Sequence, residues 1–319
     1  MNSRDEYLDS ICGILIIHMI LGHIFQWCDL TNSIYYKIES DILFFFMPWF
    51  CFKAGMFYKP STNKICFKKN YNRLIKPYII FTVSGLIIYS IHYIIINDDK
   101  LFIHIFLTPI KQILTYGYAL CNAPLWFLFS LFCCKLLYNL SQKCKYFPLL
   151  IVLVTVIPYL ICMFKIDVPQ YISYICTTLV FYTLGNKFKT LQFNKYIFIS
   201  SIGIIAFQYI LYPSIVDMKS NTLIEGNYFI WYISSLAGII TFNNLFKILN
   251  INIPFIRIIG KYSMHYFVLH WIIISGTYFI ITDSSEIQNK WIIFYIILIL
   301  NIIILPLISH IFITRKFNL

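Results

Sequence analysis

The chain has 319 residues, of which 60% are hydrophobic and only 12% are charged, with a formal net charge of +12. Soluble globular domains carry about 25% charged residues, so this composition excludes a soluble domain and predicts an all-α integral membrane protein. The basic residues lie between apolar stretches, and no basic region is long enough to fold alone, which argues against a nucleic-acid-binding domain.

Long apolar stretches make up most of the chain. A membrane-spanning helix needs about 20 mostly apolar residues, and the sequence contains about ten such stretches. We therefore predict a single domain over residues 1–319, built as a bundle of about ten transmembrane helices. The first stretch lacks a small-residue cleavage site, so we expect it to be a retained signal anchor. The predicted spans are 8–27, 42–58, 77–96, 125–140, 149–164, 171–186, 196–212, 228–246, 262–281 and 291–313.

The charged residues between the spans form two sets that alternate along the chain. Cytoplasmic loops of membrane proteins carry an excess of Lys and Arg, and an even number of spans puts both chain ends on one side. We therefore predict that the basic set and both termini are cytoplasmic. The basic set is Lys59, Lys64, Lys68, Lys69, Arg73, Lys76, Lys143, Lys145, Lys187, Lys189, Lys195, Lys247, Arg257, Lys261, Arg315 and Lys316. The set predicted to lie outside is Asp29, Glu39, Asp41, Asp98, Asp99, Asp167, Asp217, Glu225, Asp283 and Glu286.

Two connecting stretches differ from simple loops. Residues 101–122 are apolar but interrupted by Pro109 and Lys111, and a span there would invert every later loop. We predict instead a helix that lies on, or dips into, the outer face. The cytoplasmic loop 59–76 carries six basic residues, which suit lipid head groups or a soluble polyanionic cofactor. A purely topological role for these charges is the alternative.

The first span, YLDSICGILIIHMILGHIFQW, carries ionisable residues inside an apolar helix. Such side chains cost a few kcal/mol in a membrane core and usually face the protein interior or a watery cavity. At ~100° and ~1.5 Å per residue, Asp9 and His23 share nearly one face, ~21 Å apart, and His18 lies roughly opposite Asp9. We select His23 as the functional group. The alternative is that His23 only forms a hydrogen bond with a neighbouring helix.

Two later spans carry further polar candidates. Lys53, in FFMPWFCFKAGMFY, either serves a site or extends to the membrane interface, and Gly55 permits close helix packing. In the ninth span, Tyr266 and His270 are four residues apart and share a face, whereas His265 is rotated ~140° from His270. A buried histidine is suited to accept a proton from a hydroxyl near neutral pH.

Basic residues also open the third span. Arg73 and Lys76 come just before or beside Pro77, a residue favoured in the first turn of a helix. An arginine at this place is able to hold phosphates through two parallel hydrogen bonds. An ordinary cytoplasmic charge that anchors the span is the alternative.

The ten cysteines are scattered, mostly within apolar stretches. They include no CxxC and no Cys/His spacing typical of a metal site. We therefore expect small buried side chains rather than a disulfide framework, and we expect no metal.

Five motifs occur in order along the chain. They are LD…GH in the first span (Asp9, Gly22, His23), FFMPWF…GMF in the second (Pro48, Gly55), R-x-x-x-P at the third (Arg73, Pro77), LWFL (Leu125, Trp126) and GKYS…H in the ninth (Gly260, Ser263, His270). With this ordered set the chain resembles the membrane-bound acyltransferase family 3. That family includes bacterial glycan O-acetyltransferases of the O-antigen and fucose 4-O-acetylase type.

The resemblance implies a fold and a reaction. Members of the family form a bundle of about ten helices that takes an acyl group, usually acetyl from acetyl-CoA on the cytoplasmic side, and passes it to an outward-facing sugar hydroxyl. We therefore expect a multi-pass O-acyltransferase of the bacterial cytoplasmic membrane, with acetyl-CoA as co-substrate. Because the chain ends where the family core ends, we expect no appended extracellular domain, and the acceptor to be a membrane-associated or lipid-linked sugar.

The same resemblance implies roles for the matched residues. His23 corresponds to the family's catalytic histidine, which acts either as general base or as a transient acyl carrier. We place Asp9, Tyr266 and His270 with it in the catalytic group. The expected donor-binding residues are Lys53, Lys69, Arg73, Lys76 and Trp126.

One position departs from the family pattern. Relatives usually carry Arg or Lys eleven residues before the catalytic histidine, and this chain has Cys12 there. Lys53 on the adjacent span is our hypothetical replacement for that charge. Two alternatives remain open: a family member that has lost activity, and a transporter or flippase for a glycan or polar solute. The paired repeats typical of transporters are not visible in the sequence.

Overall fold

The computed structural model of the protein describes residues 5–142, 144–188, 194–284 and 287–314. These residues form fourteen α-helices and one short antiparallel hairpin. The helices are α1 (Glu6–Trp27), α2 (Ile34–Ile42), α3 (Phe46–Met56), α4 (Asn63–Asn70), α5 (Lys76–Ile95), α6 (Thr108–Tyr116), α7 (Trp126–Ser141), α8 (Phe147–Met163), α9 (Gln170–Phe188), α10 (Lys195–Ile210), α11 (Tyr228–Ile248), α12 (Pro254–Lys261), α13 (Ser263–Ser284) and α14 (Lys290–Thr314). The hairpin strands are β1 (Ile215–Asp217) and β2 (Thr222–Glu225), and short π or 3-10 segments at Tyr71–Ile75, Ile103–Leu107 and Leu120–Leu125 lead into α5, α6 and α7.

Six helical stretches in the described part of the chain are long and apolar enough to cross a membrane. They are Glu6–Trp27, Asn63–Ile95, Ile103–Ser141, Tyr228–Ile248, Ser263–Asp283 and Lys290–Thr314, and two shorter apolar helices are Phe147–Met163 and Lys195–Ile210. This architecture agrees with the predicted all-α multi-pass membrane protein. The predicted total of about ten spans and the cytoplasmic position of both termini are not confirmed and stay predictions. Some charges on which that topology depends lie outside the described residues: Lys143, Lys189, Glu286, Arg315 and Lys316.

The second and sixth predicted spans correspond to α3 and α9. These two helices pack against each other, and so they bury one another's side chains in protein rather than in lipid. α3 has only 11 residues, which is ~17 Å of helix against a hydrocarbon core of ~30 Å. α9 is longer, but its buried face carries polar residues such as Thr178, which contacts Ser130 of α7 at 2.6 Å. A Cβ at Gly55 of α3 would lie 1.9 Å from the carbonyl oxygen of Tyr182 in α9. The close helix packing predicted at Gly55 is therefore confirmed.

α1 is the central helix of the molecule. Most of its length is buried, and it contacts α2, α3, α11, α12, α13 and α14. Its backbone touches that of α12: a Cβ at Gly260 would lie 1.8 Å from the carbonyl oxygen of Asp9, and a Cβ at Gly13 would lie 2.0 Å from that of Ile256. Small residues allow such close approach of helices in membranes. The two glycines therefore determine the axial position of α12 relative to α1.

We expect Gly260→Ala to lower the free energy of unfolding by about 1–3 kcal/mol, the usual cost of adding volume to a tightly packed contact. Gly203→Ala in α10 is the matched control, since a Cβ there meets nothing within 4 Å. Alanine favours a helix over glycine by up to about 1 kcal/mol, so the control should be neutral or stabilised. Thermal unfolding in detergent measures both, and equal transition temperatures would contradict the close contact.

The stretch 101–122 forms a helix that ends at Tyr116. Gly117 terminates it with a left-handed φ of 80°, which a residue with a side chain rarely adopts. The Tyr78 hydroxyl donates a hydrogen bond of 3.0 Å to the Gly117 carbonyl oxygen and so fastens this turn to α5. The position of the helix on the outer face stays a prediction.

Candidate active site

The contact between α1 and α12 determines the positions of His23 and His270 along their helix axes. Gly260 lies against the segment of α1 that contains Gly13. His23 follows Gly13 by ten residues on α1. His270 follows Gly260 by ten residues, after a single turn residue between α12 and α13. Since a helix rises ~1.5 Å per residue, both histidines lie ~15 Å from the glycine contact. α1 and α13 pack side by side, and the two imidazoles therefore meet.

The rings of His23 and His270 are stacked. Their centroids are 5.3 Å apart and their planes differ by 20°. The Trp271 ring meets the His23 ring edge-on, with 5.1 Å between centroids. His23 is half-buried, whereas His270 is fully buried. The pair thus joins a partly accessible imidazole to an inaccessible one.

Hydrogen bonds determine which ring nitrogens carry the proton. His23 Nδ1 lies 2.9 Å from Oε1 of Gln26. His270 Nδ1 lies 2.7 Å from the carbonyl oxygen of Phe267 and 3.2 Å from that of Tyr266. Amide and carbonyl oxygens only accept, so both Nδ1 atoms donate, and each neutral ring keeps a lone pair on Nε2. His270 Nε2 has no hydrogen-bond partner among the described residues.

Polar groups surround the end of α1 that carries His23. Asp217 and Lys219 of the hairpin interact with His23 electrostatically, as does His18, five residues earlier in α1. His18 Nδ1 in turn lies 2.9 Å from a carboxylate oxygen of Glu39 in α2. This end of the bundle therefore offers hydrogen-bonding groups to a polar ligand.

A cavity of about 1200 Å³ lies towards the other end of α1, where that helix begins. It is lined by parts of α1, α3, α4, α7, α12 and α13 and by the loop between α3 and α4. Against two carboxylates, Asp5 and Asp9, its described lining contains six cationic side chains: Lys53, Lys59, Lys69, Arg73, Lys135 and Lys261. An excess of one charge sign in a cleft concentrates ligands of the opposite sign. The cavity is suited to an anionic ligand.

Four residues selected from the sequence line this cavity: Asp9, Lys53, Lys69 and Arg73. Asp9 lies here rather than beside the histidine pair, because ~21 Å of helix separates it from His23. Lys53 Nζ lies 5.2 Å from the centroid of the Trp49 ring. Cys12 lines the same cavity, and the hypothesis that Lys53 supplies the charge absent at Cys12 stays a prediction.

The other selected residues lie elsewhere. Lys76 is not part of the described cavity lining. Trp126 is buried with its ring 5.0 Å from that of Tyr174. Tyr266 is buried too, and it reaches His270 through its carbonyl oxygen. The structure thus brings His23, His270 and the Tyr266 backbone together, apart from the donor-binding candidates.

Sequence reasoning missed several residues of the cavity. Lys135 lies within α7 in the apolar run LFCCKLLY, and a lysine inside a span is itself a sign of function. Lys59 and Lys261 resemble ordinary loop charges, so no local signal distinguishes them. His265, rotated away from His270, is buried against the cavity, and neither of its ring nitrogens has a hydrogen-bond partner in the part of the chain that the structure describes.

The Phe267 ring lies between the cavity and the histidine pair. Its centroid is 6.1 Å from that of His270 and 5.7 Å from that of Phe127, and both phenylalanines line the cavity. On α1 the last cavity residue is Ile16, seven residues or ~10 Å before His23. Phe267 therefore contacts both the cavity and His270.

Comparison with known proteins identifies one matching family. The chain matches the family model described as an acyltransferase domain over residues 5–310. The match covers both stacked histidines and all six cationic residues of the cavity. No curated protein and no solved structure matches the chain.

Proposed function

Because the chain belongs to the membrane acyltransferase family 3, we propose that it transfers an acetyl group from acetyl-CoA to a hydroxyl of a cell-surface or lipid-linked glycan. The protein would lie in the bacterial cytoplasmic membrane, with the cavity open to the cytoplasm. One observation carries the proposal: along α1, a cationic cavity is followed, ~10 Å beyond its last α1 residue, by a stacked pair of histidines. Of this pair, His270 Nε2 has no hydrogen-bond partner among the described residues.

The distribution of charge in the cavity supports a phosphorylated thioester as donor. Four of the six cationic side chains are exposed, whereas Lys53 and Lys135 are half-buried. Arg73 is among the exposed ones and is able to bind a phosphate through two parallel hydrogen bonds. The phosphates of CoA would bind among the exposed cations, and the acyl end would point inward to Phe267.

The chemistry requires one proton acceptor next to the thioester. His23 Nε2 takes the proton of the acceptor hydroxyl while that oxygen attacks the thioester carbonyl carbon. A carbon–oxygen bond forms, the carbon–sulfur bond breaks, and the leaving thiolate takes the proton from His23. In the two-step route His23 Nε2 is acylated first and then passes the acyl group to the hydroxyl. Both routes convert an alcohol and a thioester into an ester and a thiol.

The opposite side of the histidine pair supports a sugar as acceptor. His23 is half-buried, and Asp217 and Lys219 interact with it electrostatically. Glu39 bonds to His18 on the same helix. The ring of Trp271 beside His23 adds an apolar surface. Hydroxyl groups with adjacent carbon–hydrogen faces, as in a sugar ring, match this mixture of surfaces.

Donor turnover by the purified protein in lipid nanodiscs tests the proposal. We expect radiolabelled acetyl-CoA to release free thiol, faster when glycan-lipid extract is present, and the label to enter the glycan. Heat-inactivated protein in the same nanodiscs is the control. Absence of thiol release with every acceptor tried would overturn the enzymatic proposal and favour transport of a polar solute.

A further inference from the structure

The side chain of Gln26 contacts the more accessible imidazole of the histidine pair. Gln26 follows His23 by three residues on α1, a spacing at which helical side chains face each other. Its Oε1 lies 2.9 Å from His23 Nδ1. A histidine's hydrogen bond at one ring nitrogen determines the state of the other. With the proton held on Nδ1, the lone pair of His23 is on Nε2.

The amide of Gln26 is itself held from its other end. Its Nε2 donates to the Tyr36 hydroxyl at 3.3 Å. Tyr36 belongs to the first turn of α2, where its backbone N–H donates to the capping side chain of Ser33 at 3.2 Å. In this orientation the amide directs its donor end to Tyr36 and its acceptor end to His23.

We propose that Gln26 is a positioning residue that holds His23 as a neutral imidazole with its proton on Nδ1, so that Nε2 faces the substrates. This inference rests on the proposed acyl transfer. In hydrolases of the Ser-His-Asp type, a carboxylate orients the histidine and also stabilises its charged form. A glutamine orients the ring without a full negative charge, so the neutral base is kept.

Other charged groups near His23 do not replace this contact. His270 stacks on it from α13, but the Nδ1 of His270 is engaged by backbone carbonyls. Asp217 of the hairpin accepts hydrogen bonds from the Lys219 backbone N–H and the Ser220 hydroxyl.

In α1 itself, His18 bonds to Glu39 of α2 rather than to His23. Lys219 is the nearby cation of the hairpin, and its Nζ lies 5.7 Å from the Tyr118 ring centroid. Gln26 therefore provides the direct side-chain hydrogen bond that the structure shows at His23 Nδ1.

The pH profile of kcat/KM in Gln26→Glu tests the proposal. A carboxylate at this position favours the protonated imidazole, so the acid limb of the profile should move by about one pH unit to higher pH. Gln26→Ala should lower kcat and leave the KM for acetyl-CoA unchanged, because the donor cavity is remote. Asn32→Asp, an exposed residue in the turn before α2, adds the same charge at the same end of α1 and should leave the acid limb in place.

A second readout does not depend on turnover. Diethyl pyrocarbonate modifies neutral imidazole, and mass spectrometry follows the modification of His23 against pH in wild type and in Gln26→Glu. A shifted His23 profile in a protein without turnover supports the inference and refutes the acyl-transfer proposal. An active wild type in which neither profile moves in Gln26→Glu overturns the inference and leaves acyl transfer standing.

Discussion

Replacing His23 by alanine should lower kcat by about 10²–10⁴-fold, the usual contribution of a positioned general base. His270 does not substitute for it, because that ring is fully buried and fixed by two backbone carbonyls. Release of thiol from radiolabelled acetyl-CoA measures the effect on the purified protein. Chemical analysis of the surface glycan, with and without His23→Ala, measures it in cells.

His310→Ala is the control for this substitution, since His310 is an exposed residue near the end of α14. It should turn over donor at the wild-type rate. If His23→Ala unfolds at the wild-type temperature and keeps full turnover, His23 has no part in the reaction. Rapid quenching in neutral denaturant tests the two-step route: label retained on wild type but absent from His23→Ala indicates an acyl-imidazole.

Arg73→Ala should raise the KM for acetyl-CoA by about 10–100-fold. A hydrogen bond to a charged group contributes about 1.5–3 kcal/mol, and about 1.4 kcal/mol corresponds to a factor of ten. The effect on kcat should be much smaller, because Arg73 lines the cavity at the end of the bundle away from the histidine pair. Steady-state kinetics at fixed acceptor concentration separates the two parameters.

Lys68→Ala is matched to this variant. Lys68 lies in the same basic segment and is exposed, but it is not part of the described cavity lining. Its loss removes one positive charge without removing a cavity contact, so the KM should stay near the wild-type value. An equal rise of the KM in both variants would mean that only the net charge of the segment matters, and the assignment of the cavity to the donor would be wrong.

Much of the site was open to prediction because its residues carry local signals. His23 is an ionisable residue inside an apolar helix, and Tyr266 and His270 share a helix face by their spacing. Lys53, Lys69 and Arg73 were selected for charge, and the structure places all three around one cavity. The identity of the family also followed from motifs, and the match over residues 5–310 confirms it.

Other features depended on contacts between distant segments. The sequence analysis placed Asp9 in the catalytic group with His23, on nearly the same helix face but ~21 Å away. It does not show which residues of other helices lie beside either of them. The contact of α12 with α1 at Gly13 and Gly260 brings His270 level with His23 instead. Lys135 of α7 and His265 of α13 line the cationic cavity because those helices form part of its wall.

Composition and motif order are enough to establish a helical membrane protein of this acyltransferase family, because hydropathy and short spacings are local properties of the chain. The number of spans does not follow from local properties. α3 is too short to span a membrane, α9 buries polar residues such as Thr178, and no local pattern separates burial in protein from burial in lipid. The pairing of His23 with His270, the contact of Gln26 with His23 and the charged cavity are seen only in the packed molecule. The histidine pair and the cavity bring together groups from different helices, and the Gln26 contact depends on the orientation of a side chain. The packing of the helices determines all three.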